Sequence, residues 1–355
     1  MNYLEFFGLK EDPFKITPDP DYFFESLAHR KAKNLLEYTI YSKEGFCVII
    51  GEPGTGKTTV LKKFLSELPE NFIAATIYNP MLSPEEFLKT LLDEFKIHYD
   101  KDISKNEILK KLSQFLEEKL REGKRAIIVI DEAQLMPFET LEELRLLSNI
   151  ETGKEKLVQI ILVGQPELEE KFQDPKLRQL SDRITNKMFL DELTEDEVEK
   201  YINHRLKISY LDRIKSIKEA INEIYKKIKQ SNYKSKKKIF SDVLREEEIE
   251  KYISQIYNTN KIKFSKEAIN EIYKHSGGIP RLINLLASRA LMAAYIQNSY
   301  TVEPNHILSA LDALKKENTA YKKNRILAVA VLILETIAIL ALIIYIYLTF
   351  FNKGV

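Results

Sequence analysis

Eight residues, Gly51-Glu-Pro-Gly-Thr-Gly-Lys-Thr58, restrict the fold of this chain more than any other stretch. Their spacing, a glycine, four residues, then Gly56-Lys57-Thr58, works only as a turn between a strand and a helix. The backbone N–H groups of such a turn converge on one anion at the helix N-terminus. The flanks agree. Gly45-Phe-Cys-Val-Ile-Ile50 is a short apolar run that reads as a buried strand, and Thr59-Val-Leu-Lys-Lys-Phe-Leu65 opens a helix. The candidate phosphate-binding residues are therefore Gly51, Glu52, Pro53, Gly54, Thr55, Gly56, Lys57, Thr58 and Thr59. Lys57 is expected to reach the β- and γ-phosphates and the Thr58 hydroxyl to ligate Mg²⁺, so ATP and Mg²⁺ are the expected ligands.

Further strands are expected at Phe72–Tyr78, Arg125–Ile130, Val158–Val163 and Asn186–Leu190. Helices are expected over 84–97 and 104–122, the first opened by the capping box Ser83-Pro-Glu-Glu86 after the Asn79-Pro80 break. Strands alternating with helices predict an α/β fold, a parallel sheet of five strands covered on both faces. The third strand, Ile127-Ile-Val-Ile130, ends in Asp131 and Glu132. Asp131 is the candidate second Mg²⁺ residue, and Glu132 the candidate base that orients and deprotonates the attacking water.

Six polar residues complete the candidate set. Gln165, after the fourth strand, is placed to touch the attacking water or the γ-phosphate, or else makes a polar turn. Asn79, after the second, either hydrogen-bonds Glu132 and gates it or simply turns the chain before Pro80. Arg183, with Arg178 as second choice, is a candidate finger into a neighbouring subunit's nucleotide site, and a surface ion pair is the plainer reading. Arg281, in Gly277-Gly-Ile-Pro-Arg281, is a candidate γ-phosphate contact from a helical lid, at a sequence that also makes a helix–helix turn. His29, downstream of Tyr22, Phe23 and Phe24, is a candidate for the adenine pocket or for an aromatic strap over the core.

The 355 residues suit two soluble domains or one large one, and 44% hydrophobic content is enough for a true core. Lys and Arg number 54 against 53 Asp and Glu, which removes any general electrostatic case for nucleic acid. The single cysteine, Cys47, excludes a disulfide framework and a multi-cysteine metal site. No basic stretch followed by an apolar run opens the chain, so no secretory signal is expected.

From Leu193 onward the pattern is helical, beginning with the capping box Thr194-Glu-Asp-Glu197. Lys-Glu-Ala-Ile-Asn-Glu-Ile-Tyr-Lys occurs at both 218–226 and 266–274, and the segments 193–202 and 244–253 also match, which indicates a tandem duplication. Residues 207–240 hold 11 Lys and Arg against 3 Asp and Glu. This basic insertion faces solvent or anionic headgroups, or contacts nucleic-acid phosphates. Residues 326–351 form a largely apolar run with one charge, Glu335, long enough to span a bilayer. Lys315, Lys316, Lys322, Lys323 and Arg325 precede the run and only Lys353 follows it, so the positive-inside rule places the preceding domains in the cytoplasm.

The opening Tyr3-Leu-Glu-Phe-Phe-Gly8-Leu9, with Pro13-Phe14, Thr17-Pro-Asp-Pro20 and His29, resembles the ExeA/GspA type of AAA+ ATPase of the general secretion pathway. It is similar also to related ATPases of MSHA-type pilus biogenesis and exosortase loci. The phosphate loop, Asp131-Glu-Ala-Gln134, Gly164-Gln-Pro-Glu-Leu168 and Ser276-Gly-Gly-Ile-Pro-Arg281 fit the same pattern, over roughly 1–206 and 261–315. The resemblance implies a P-loop AAA+ core with a five-stranded parallel sheet, an all-helical lid and a membrane partner. The domains expected are a nucleotide-binding core with its strap at 1–192, a lid at 193–315 with an insertion at about 207–260, and a transmembrane helix at 326–351. The resemblance further implies a bacterial inner-membrane ATPase, a homo- or hetero-oligomer, acting in secretion, pilus or polysaccharide-export assembly. Any cell-wall binding is expected to come from a partner. The competing reading is a DNA-associated ATPase similar to transposition helpers.

Overall fold

The computed structural model describes residues 2–17, 19–42, 44–100, 102–152, 155–210 and 262–316. The segments 211–261 and 317–355 lie outside the described residues, and with them most of the basic insertion, the first copy of the repeat and the apolar run 326–351. Among the described residues no helix is long and apolar enough to cross a membrane.

Five strands make one parallel sheet: β1 (Phe46–Ile50), β2 (Phe72–Ile77), β3 (Arg125–Ile130), β4 (Val158–Gly164) and β5 (Asn186–Phe189). Their order is β2-β3-β4-β1-β5. The four apolar strands are nearly continuous hydrophobic runs because helices cover both faces. Alternate side chains enter separate cores. Val48, Ile50, Ile128, Ile130, Ile160 and Leu162 pack beneath α4 (Pro84–Glu94), α5 (Lys105–Arg121) and α6 (Phe138–Leu147). Cys47, Ile49, Ile127, Val129, Ile161 and Val163 pack against α2 (Leu27–Ser42) and α3 (Lys57–Ser66).

The strand expectations hold to within a residue at each end. The helix expected over 84–97 ends at Glu94, because Lys96 turns left-handed at φ 58°. Ser83 and Ser104 cap α4 and α5 with reciprocal bonds to Glu86 and Glu107. Five helices before the lid were not anticipated: α1 (Tyr3–Phe7), α2, α6, α7 (Pro166–Phe172), which Pro166 starts, and the four-residue Arg178–Ser181. All but α2 are short, and hydrophobic spacing over so few residues does not reveal them; the sixteen residues of α2 were read only as part of an aromatic strap.

After the short α8 (Arg178–Ser181), the lid packs α9 (residues 195–210) with α10 (Lys266–Ser276), α11 (Pro280–Ile296) and a helix over 304–316. It is not wholly helical: Lys263–Phe264 pairs in parallel with Thr301–Val302. The start of the N-terminal strap also belongs to the lid. Phe7, Leu9 and Phe14 are buried in the lid's core with Leu193, Tyr201, Ile283 and Leu291. Apolar strap residues contribute roughly 1.5–3 kcal/mol each on burial, and here they do so against the lid. The expected boundary at 192 therefore divides the chain but not the packing.

Where the chain enters the lid, two stretches of lid backbone meet closely. Leu193 N–H donates to Gly278 O at 3.0 Å. Gly278 has φ +78°, and a Cβ there would lie 2.1 Å from Leu193 O. Gly278→Ala is expected to destabilise the lid by about 3 kcal/mol, from left-handed strain plus the clash. Hydrogen exchange should show the loss in α10 and α11, with the β-sheet amides little changed.

Candidate functional site

The phosphate loop leaves the carboxyl end of β1, the strand at which the sheet order reverses: β2, β3 and β4 lie to one side and β5 to the other. Ligands of open α/β sheets bind at this point. Gly56 has φ +102°, and a Cβ on it would come within 2.6 Å of His29 Nε2. The His29 ring therefore closes over the loop where only glycine fits.

Lys57 is the first residue of α3 and is buried. Its ammonium donates to Gly51 O at 2.7 Å and Glu52 O at 2.9 Å. Burial lowers its pKa, against the opposing field of Glu132 and Asp131. Thr58 Oγ1 donates to Asp131 Oδ2 at 2.7 Å. The two candidate Mg²⁺ residues thus come together from α3 and the end of β3. Asp131 is buried, which raises its pKa, while the Thr58 hydroxyl and the Glu132 N–H act in the other direction. A hydroxyl and a carboxylate in contact fit the oxygen preference of Mg²⁺.

Glu132 has left-handed backbone at φ 54°. Its Oε2 accepts from Gln165 Nε2 at 2.9 Å and from Gln134 Nε2 at 2.6 Å. The hydrogen bond sought between Asn79 and Glu132 is not made. Asn79 is exposed at the end of β2, and the carboxylate faces the two glutamines instead. Arg183 does not line the chain's own cleft; its Nη1 donates to Ser148 Oγ at 2.9 Å, and Arg178 is exposed. Arg281, near the start of α11, does line the cleft, and its N–H donates to Gly54 O at 3.3 Å.

The cleft encloses about 480 Å³, within the range of small-molecule sites. Lys57, Thr58, Glu132, Gln165 and Arg281 line it. So do the strap residues Thr17, Tyr22 and Phe23, with Tyr201, Arg205 and Asn284 of the lid. The last three were not singled out from the sequence. Asn284 was within reach, one helical turn beyond Arg281 on the same face. Arg205 is buried over the rings of Tyr22 and Tyr201, at 4.9 and 5.6 Å. It donates to the backbone carbonyls of Pro13 and Lys15 and, at 2.9 Å, to the Tyr201 hydroxyl. Tyr201 in turn donates to Asn284 Oδ1 at 2.9 Å. Among the described residues no cluster of His, Cys, Asp and Glu is built to hold a metal by itself.

An AAA domain profile matches residues 40–172. General secretion pathway protein A of Aeromonas hydrophila is 34% identical over 300 residues, which is 84% of this chain and 46% of that protein. The chain is a relative of the ExeA/GspA-type AAA+ ATPases. It spans about half the length of the curated relative it matches. Among solved structures, Cdc6p from Pyrobaculum aerophilum is similar with a TM-score of 0.54 at 15% identity, over 85% of this chain and 70% of that one. The Aeropyrum pernix ORC1 protein in complex with DNA gives 0.52 at 14%, over 86% and 69%. A Walker-type ATPase of Pyrococcus abyssi gives 0.51 at 17%, over 88% and 79%. At these identities the likeness is one of fold, an α/β P-loop core under a lid.

In this ExeA/GspA relative His29 serves the phosphate loop directly. Its Nε2 lies 2.9 Å from Thr55 O and its Nδ1 2.8 Å from Ser26 Oγ. A carbonyl only accepts, so Nε2 carries the proton and Ser26 donates to Nδ1. Burial lowers the His29 pKa. The folded state therefore binds this proton less readily than the unfolded chain, and stability falls as pH drops below about 6.5. Imidazole NMR is expected to show the neutral Nε2–H tautomer with a midpoint below that value. His29→Gln, which keeps a donor near the Nε2 position, should remove one share of the acid destabilisation in melts at pH 5–7.

Proposed function

We propose that this chain is a membrane-anchored ATPase that couples ATP binding and hydrolysis to assembly of a cell-envelope secretion, pilus or polysaccharide-export system. The observation that carries the hydrolytic part is the convergence of Lys57, Thr58, Asp131 and Glu132 on one cleft, with Thr58 and Asp131 in direct contact. The relation to General secretion pathway protein A supports the envelope setting.

In this reading the loop from Gly51 to Thr59 cradles the phosphates through backbone N–H groups and the N-terminus of α3. Lys57 leaves the Gly51 and Glu52 carbonyls for the β- and γ-phosphates. Thr58 and Asp131 hold Mg²⁺, which supplies positive charge against the phosphate oxygens. Glu132 takes a proton from a water whose oxygen bonds to the γ-phosphorus. The bond from that phosphorus to the β–γ bridging oxygen breaks, releasing ADP and phosphate. Gln165 and Arg281 contact the γ-phosphate from the core and the lid. Arg183, which faces away from its own cleft, completes a neighbouring subunit's site and makes hydrolysis depend on assembly. The apolar run 326–351 is proposed, on its sequence alone, as the single inner-membrane anchor, with the described domains in the cytoplasm and a membrane protein as partner.

Turnover by the full chain in anionic vesicles tests this. Glu132→Gln is expected to lower it by about a hundredfold or more while ATP still binds. Arg183→Ala subunits should be rescued in part by mixing with Lys57→Ala subunits; absence of rescue would remove the finger. Stimulation by duplex DNA that disappears when 207–260 is deleted would transfer the reading to a DNA-associated ATPase, since that stretch carries the Lys-rich run. In cells the chain should stay in the membrane pellet after carbonate extraction, and its release would remove the anchor.

A further inference from the structure

We propose that Gln134 is the positioning residue that keeps Glu132 aimed at the cleft when Gln165 leaves it for the phosphate. This rests on the hydrolytic reading above. Gln165 has two claims on its one side-chain amide. It lines the nucleotide cleft, and it donates to Glu132 Oε2 at 2.9 Å. When the amide turns to a γ-phosphate, Glu132 loses that bond. A glutamate with three rotatable side-chain bonds, on left-handed backbone, would then lose its aim.

Gln134 prevents this, because every part of it is fixed from elsewhere. It is buried, and its Nε2 donates to the same Glu132 oxygen at 2.6 Å. Its side-chain carbonyl accepts from the Gln165 backbone N–H at 3.1 Å. Its backbone carbonyl accepts from Lys171 Nζ at 2.6 Å, and the same ammonium donates to Met136 O at 2.6 Å. Gln134 therefore bridges the ends of β3 and β4 through the Gln165 backbone, whatever the Gln165 side chain is doing. Oε2 is held by the bridge, and the second oxygen, Oε1, is the one assigned to the water.

The test uses the full chain in anionic vesicles, with ATP and a non-hydrolysable ATP analogue. Gln134→Leu keeps the bulk and loses the amide; Gln134→Glu keeps the shape and replaces the donor by an acceptor. Both are expected to lower kcat by about ten- to a hundredfold, the cost of a misaimed group. KM for ATP and affinity for the analogue should stay within about twofold of the wild type. Added to Glu132→Gln, Gln134→Leu should lower the residual rate no further, because the two act as one unit. A purely structural role would move analogue binding along with kcat. Normal kcat in both Gln134 variants, loss of analogue binding in both, or a defect that multiplies with Glu132→Gln would each overturn the inference. If Glu132→Gln lowers turnover and Gln134→Leu does not, this inference alone fails. If Glu132→Gln leaves turnover unchanged, the hydrolytic reading fails with it.

Discussion

The hydrogen bond from Thr58 to Asp131 joins two elements that are not neighbours in the sheet. Thr58 follows β1, Asp131 follows β3, and β4 runs between those strands. The contact depends on how far β1, β4 and β3 run relative to one another. The parallel register sets that: Ile130 is level with Leu162 and Val48, and β1 runs two residues further, to Ile50 level with Gly164. Asp131 is also fixed from the far side, its N–H donating to Ile77 O at 3.0 Å. Much of the structure maintains this alignment. Two apolar layers clamp the sheet, and β1, β3 and β4 lie almost wholly inside the protein. Lys57 and Asp131 at their ends are thereby buried, where charge interactions are strong and an unpaired group is costly.

The lid meets this edge through backbone and buried polar contacts. Arg205 is a buried cation with no carboxylate partner among the described residues. Backbone carbonyls of the strap, a tyrosine hydroxyl and two aromatic faces satisfy it. Guanidinium suits such a site, since it is weakly hydrated, planar and able to stack. Loss of any one of these acceptors would leave part of a buried charge unsatisfied. The strap, the helix over 195–210 and α11 are thus bound together along the cleft.

Reading the sequence recovered the strands, the phosphate loop and the paired carboxylates, and it located Gln165 beside them. It was less successful wherever the deciding contact crosses between elements. Asn79 and Gln165 follow β2 and β4, on either side of β3; from sequence Asn79 was matched to Glu132, and Gln165 to the attacking water or the γ-phosphate. The fold points Asn79 to solvent and Gln165 to the carboxylate. Gln134 stood within a recognised motif with no role of its own, because its partners lie on β4 and α7. Arg205 and Tyr201 looked like ordinary residues of an amphipathic helix; only the returning strap makes them part of the cleft.

By itself, the sequence determined what depends on near neighbours. A glycine-rich turn between an apolar run and a helix has one useful geometry, and an apolar strand that ends in two acids presents them at the sheet's edge whatever else surrounds it. Those constraints act over a few residues and survive without the rest of the fold. Only the tertiary structure decided which amides hold Glu132, that His29 closes over Gly56, and that the N-terminal aromatics belong to the lid. Each of these depends on strand order, loop direction and packing between segments far apart in the chain, and hydrophobic spacing along one segment carries no record of them.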